Sequence, residues 1–213
     1  SELNSTPNQE AAWKNYADVL ASNRFLTYFK NSLVVTGTST LLAMLVGVPA
    51  GYGIARMAAH KSAIVILIAR ITPGLSYLIP LFLVFQWLGL LGTLAPQIII
   101  HLVVTVPIVI WIMIGYFETT PLELEEAAFI DGATRWQKFM FVTWPSVRTL
   151  YLTSLILSMI WTLGDFNSVY LLTGGGPADL THVLATLGIR YLRLDRADLA
   201  MATLGCALPA VPP

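Results

Sequence analysis

The sequence has little charge: Asp, Glu, Lys and Arg together make up 11% of 213 residues, against about 25% in an ordinary soluble domain. The shortage is concentrated. No charged residue occurs between Asn31 and Ala55, and none in the 47 residues from Ile71 to Phe117. A spanning helix needs about 20 apolar residues, so the second run has room for two. A mean hydropathy of +0.71 with 56% apolar residues excludes a soluble enzyme, a nucleic-acid binder and a disordered tail. Twelve basic residues balance twelve acidic ones, so no polyanionic partner is indicated. Cysteine is nearly absent. Cys206 alone supports neither a disulfide framework nor a cysteine-based zinc site. The three histidines, His60, His101 and His182, are too scattered to share a metal. No G-x-x-x-x-G-K-[ST] stretch is present, so the chain carries no phosphate-cradling loop of that kind.

What remains is a polytopic membrane protein. Residues 1–31 mix Trp13, Tyr16, Phe25, Tyr28 and Phe29 with Lys, Arg and Asn, which suits short extracytoplasmic or interfacial helices. Residues 32–213 form the membrane domain. Four complete spans are expected, at about 32–55, 63–88, 95–117 and 147–170. Gly37, Gly47, Gly51 and Gly53 give the first span close-packing surfaces. Pro73 and Pro80 kink the second, and Pro107 lies inside the third. Arg70 lies one helical stretch inside the second span and snorkels back to the interface. A fifth span begins at Ala197 and meets Pro209, Pro212 and Pro213. With no initiator Met or leader at the start, both ends read as cut from a longer chain. The basic 56–61 turn, set against the uncharged 89–94 turn, places the 56–61 and 118–146 loops in the cytoplasm.

The 118–146 loop is the most informative segment. Thr120, Pro121 and Glu123 fit a capping box that starts a helix, and Thr134 with Gln137 fits a second. Between them Gly132 permits a sharp elbow. The spacing predicts two short helices joined by a bend. From the residues alone, a solvated linker with helical character fits as well.

The pattern Glu126-Ala127-Ala128, three residues, Gly132, nine residues, then Val142-Thr143-Trp144-Pro145 resembles the EAA loop of ABC importer permeases. Trp144 stands where that pattern has Leu. The Asn15-Tyr16 region, Asn31-Ser32, Leu122 to Glu126 and Leu171 to Pro177 are similar to carbohydrate permeases of the maltose-transporter type. The resemblance implies an all-α transmembrane permease, usually of six spans. It implies a coupling helix in which Glu125, Glu126, Ala127, Ala128, Asp131, Gly132 and Ala133 seat against a separate ATPase. Two such ATPases, holding ATP and magnesium, would rock this chain against a second permease subunit. A solute-binding protein would deliver a sugar or oligosaccharide across the inner membrane. This chain would bind no cofactor of its own.

A polar stripe at helical spacing, Ser154, Ser158, Trp161, Asp165 and Ser168, marks the fourth span. Such a stripe faces protein or a water-filled cavity. Two readings stand. Trp161, Asp165 and Asn167 offer the aromatic platform and hydrogen bonds a sugar needs, with Ser158 and Tyr77 as further path residues. Alternatively the serines are interhelical glue. An importer for another solute, or an ion-driven secondary transporter, are the rival functions. The latter would need paired intramembrane acids, and only Asp165 qualifies.

Overall fold

The structure, a computed structural model, describes residues 6–71, 74–174, 176 and 180–207. Among these residues every regular element is a helix. In chain order they are α1 (Thr6–Ala21), α2 (Asn23–Arg56), α3 (His60–Ile71), α4 (Gly74–Trp87), α5 (Ala95–Thr119), α6 (Glu123–Ile130) and α7 (Arg135–Lys138). A π-helical turn, Phe139–Thr143, leads into α8 (Trp144–Gly164), followed by α9 (Asn167–Thr173), α10 (Leu184–Arg193) and α11 (Ala197–Ala207). Among the described residues, three stretches are long and apolar enough to cross a membrane: Arg24–Arg56, Ala95–Thr119 and Trp136–Gly164.

These three coincide with the first, third and fourth expected spans. The first is longer than expected, because α2 begins at Asn23 and takes in the end of the aromatic segment. The expected second span is described as α3 and α4 on either side of residues 72–73. The kink at Pro73 and the side chain of Arg70 lie outside the described residues. Pro49, Pro80 and Pro107 all lie within helices, as neighbouring helices can re-satisfy freed carbonyls in such chains. The fourth span stops earlier than expected. α8 ends at Gly164, and a new helix starts at Asn167. Glycine is a poor helix former, and the Asp165 carboxylate accepts the Ser168 N–H at 3.1 Å. An Asp side chain that satisfies a first-turn donor favours a helix start over helix continuation.

The chain divides into two compact units. One comprises residues 1–37, 77–100 and 161–213. Its core packs Val19, Phe25 and Tyr28 against Leu184, Leu187 and Leu199, while Leu78, Phe85, Ile100 and Leu172 form a second cluster. Asn31 and Ser32 anchor the 180–184 stretch. The Asn31 amide donates to the Leu180 and His182 carbonyls, both at 2.9 Å, and Ser32 Oγ accepts the Leu184 N–H. Gln97 reaches the Thr181 carbonyl at 2.7 Å.

The other unit comprises residues 38–76 and 101–160. Ala43 and Met44 of α2 pack on Val109, Met113 and Phe117 of α5 and on Val147 of α8. Gly47 and Gly51 let α2 and α5 approach. A Cβ at Gly47 would stand 2.6 Å from Val109 Cγ1, and one at Gly51 2.6 Å from Met113 Cβ. Gly37 and Gly53, also expected at a packing surface, face open space instead.

Candidate functional site

The second unit carries the elbow. α6 ends at Ile130, Gly132 adopts φ +79°, and α7 starts at Arg135. Glycine alone takes that left-handed conformation without a Cβ penalty. The second expected capping box forms. Thr134 N–H donates to Gln137 Oε1 at 2.8 Å, and Gln137 N–H returns to Thr134 Oγ1 at 3.3 Å. The first does not. Thr120 Oγ1 donates to the Tyr116 carbonyl in the last turn of α5, and α6 starts after Leu122 without a side-chain cap. Three carboxylates, Glu123, Glu125 and Glu126, stand in its first turn and suit the positive end of its dipole.

Of the seven elbow residues singled out in the sequence, Glu126, Ala127, Asp131 and Gly132 are exposed and Ala128 and Ala133 half-buried. Glu125 is turned the other way and is only 4% exposed. Its Oε1 takes Arg56 Nη2 at 2.8 Å and Nε at 3.2 Å. Its Oε2 takes the Tyr52 hydroxyl at 2.6 Å and faces Lys138 Nζ at 3.1 Å. Arg56 Nη1 reaches further, to the carbonyls of Phe117 at 3.0 Å and Thr120 at 3.2 Å. These are C-terminal carbonyls that a helix cannot satisfy by itself. Burial alone would raise the Glu125 pKa, but hydrogen bonds from Tyr52, Lys138 and Arg56 outweigh it and hold the carboxyl below its ordinary value. Glu125 is therefore an anion gripped by its own chain.

The elbow also exposes large apolar side chains. Phe129, Ile130 and Trp136 are 77%, 82% and 66% exposed, and the carboxylate-bearing Glu126 and Asp131 are exposed with them. Next to it, the π-helical turn Phe139–Thr143 re-aims the chain into α8. Such turns concentrate at functional sites. Neither feature was foreseen from the sequence, although four aromatics within Trp136–Trp144 were a visible cue. Trp144, the departure from the loop pattern, packs edge-on against Tyr151 at 5.4 Å. A cavity of about 500 Å3 lies beside this ring pair, lined by Met44, Val48, Tyr52, Lys138, Trp144 and Tyr151 among others.

The candidate path residues are less concentrated. Ser154 is buried and Ser158 half-buried in the second unit. Trp161 is 72% exposed, Asn167 exposed, and Tyr77 and Asp165 half-buried in the first unit. Because α8 ends at Gly164, Asp165 and Ser168 do not continue its stripe. His182 is engaged with Thr186 at 2.9 Å and packs at a tilt against Tyr28, ring centroids 5.1 Å apart. His60 faces Glu118 at 3.9 Å, and among the described residues no three metal-ligating side chains converge.

The chain resembles known proteins in sequence and fold. The chain is 34% identical over 168 residues to a probable ABC transporter permease of Sinorhizobium fredii, covering 78% of this chain and 60% of that one. It is 28% identical to a diacetylchitobiose uptake permease of Streptomyces coelicolor, over 80% of this chain and 60% of the relative. Identity is 31% to a multiple sugar-binding transport permease of Streptococcus mutans, over 65% of this chain and 52% of the relative. The chain thus spans between half and two thirds of these relatives' length. Its fold matches a chain of a bacterial alginate ABC transporter crystallised with an alginate pentasaccharide-bound periplasmic protein, with a TM-score of 0.72 at 20% identity over 95% of this chain and 82% of that one. The family model for binding-protein-dependent transport system inner membrane components matches residues 39–210. That stretch holds the latter part of the first long apolar helix, the whole of the other two, the elbow and the Glu125 cluster, and the chain belongs to this family of inner membrane transport components.

Proposed function

We propose that the chain is the multi-pass permease subunit of an ATP-binding-cassette importer for a sugar or oligosaccharide. The observation that carries this reading is the elbow: a rigid bend at Gly132, capped by Thr134 and Gln137, presents Phe129, Ile130 and Trp136 outward while Glu125 ties it inward. An exposed apolar knob on a charged loop is a docking surface. The partner that fits it is a separate ATPase on the cytoplasmic side, which supplies ATP hydrolysis. Two ATPases and a second permease subunit complete the machine, and a periplasmic binding protein delivers the solute. A bent helix with locked ends passes a partner's closure on to the spans as a rigid-body displacement. The sugar assignment rests on relatives named for diacetylchitobiose and multiple-sugar uptake. Trp161 and Asn167, exposed beyond the middle of α8 and at the start of α9, are the proposed contacts for the passing solute, with Tyr77, Ser158 and Asp165.

Affinity capture of the full-length protein from its own membrane tests the assignment. A vanadate-sensitive ATPase should copurify, and one sugar-loaded binding protein from a panel should raise its rate. Stimulation by an amino-acid- or peptide-loaded binding protein alone would move the solute class. Capture without any ATPase would overturn the importer reading.

A further inference from the structure

In the importer, α6 must hand its displacement to the membrane-spanning helices, and the way α6 is held shows through which group. The helix has eight residues, and Glu125 is the one that is buried. Leu124, Phe129 and Ile130, its large apolar side chains, are all exposed. α6 is therefore not packed to its own chain by an apolar face, which is how short helices are ordinarily fixed. The Glu125 carboxylate takes that place. It receives Tyr52 and Arg56 from the end of α2 and Lys138 from the start of the third spanning stretch. Through Arg56 it also reaches the Phe117 and Thr120 carbonyls, where α5 ends. One side chain thus joins α6 to the near ends of the three long apolar helical stretches found among the described residues. Arg56 brings two donors, Nε and Nη2, to one oxygen of that carboxylate, Oε1, and charge-assisted hydrogen bonds of this kind are stronger than neutral ones.

We propose that Glu125 is the positioning residue that locks the elbow to the spans, so that α6 and the adjoining end of α2 move as one body when the partner ATPase closes. Glu126, its neighbour, is exposed and takes no part in this link. The proposal rests on the importer reading for the identity of the moving partner, but the lock itself is a property of this chain.

The test is a distance measurement on the full complex in lipid nanodiscs. Cys206 is replaced by Ser, and spin labels are placed at Glu123→Cys on α6 and Leu45→Cys on α2, both exposed positions. In the native background the distance distribution should be narrow, and the same with and without MgATP and vanadate. In Glu125→Ala it should broaden at least about twofold while the subunits stay assembled and hydrolysis persists. Glu125→Gln, which keeps one acceptor oxygen for Arg56 and offers its NH2 as a donor to the Tyr52 hydroxyl, should recover part of the narrow distribution. If Glu125→Ala does not assemble, Arg56→Met/Glu125→Leu serves, since a buried ion pair replaced by apolar side chains generally keeps the fold; it should broaden equally. A native distance that shifts on vanadate trapping, or variants as narrow as the native complex, would overturn the proposal. A role confined to stability would lower yield and leave the assembled fraction narrow. Absence of an ATPase from the native complex would sink the importer reading instead, and the comparison without nucleotide would still report on the lock.

Discussion

Gly47 and Gly51 are held by their neighbours, whereas Gly53, two residues on in the same helix, meets open space. The four-residue spacing of the first two is what a close helix pair requires. Gly51→Ala should therefore force α2 from α5 and cost about 1–3 kcal/mol, as overpacking does. Gly53→Ala should stabilise α2 by about 0.5–1 kcal/mol through helix propensity. Thermal melting of the two purified variants checks this, and equal shifts of the same sign would contradict it. Glu125 makes a pH statement of known sign. Its folded pKa lies below the ordinary 4.5, so the stabilisation is fully present above that value and is lost as pH falls through the lower folded one. A spin label at Glu123→Cys should keep its mobility from pH 8 down to pH 5 and loosen only in acid below the ordinary carboxylate range. Loosening between pH 7 and 5 would mean that Glu125 is not gripped as an anion.

At the scale of elements, absence of charge was a faithful guide. The runs empty of Asp, Glu, Lys and Arg locate α2 and α5, and the Thr134–Gln137 box locates α7, because these signals are local. The features that escaped notice depend on distant partners or on competition between neighbours. Glu125 faces inward because Arg56 lies 69 residues away in sequence, and no spacing rule reads that. Thr120 fits a helix cap but bonds backward to Tyr116 instead, since α5 runs on to Thr119 and offers a carbonyl first. The stripe on the fourth span breaks at Gly164 and Asp165, where helical periodicity was extrapolated through a residue pair that favours a new start. The π-helical turn has no periodicity signal at all. The elbow gives the element-scale prediction. Gly132 sits at φ +79°, which a β-branched side chain strongly resists. Gly132→Val should bend the elbow away from its partner and cut capture of the ATPase about tenfold or more, equivalent to roughly 1.4 kcal/mol or above. Thr134→Ala, which loses one cap, should cost about 1 kcal/mol of local stability and leave capture largely intact. Equal capture by the Gly132→Val and native proteins would contradict the docking role.

For the whole molecule, the proposed importer divides the labour: this chain would supply the membrane path and another chain the energy, a reading that the family match supports. The central claim is that the two meet at the knob formed by Phe129, Ile130 and Trp136. The most direct measurement places a photocrosslinking amino acid at Ile130, which is 82% exposed, in the full-length protein in its native membrane. Illumination followed by mass spectrometry should give a single dominant adduct to a protein that carries a G-x-x-x-x-G-K-[ST] phosphate-binding loop, and the yield should fall in the Gly132→Val background. Adducts to lipid alone, or to a protein without a nucleotide-binding loop, would contradict the account.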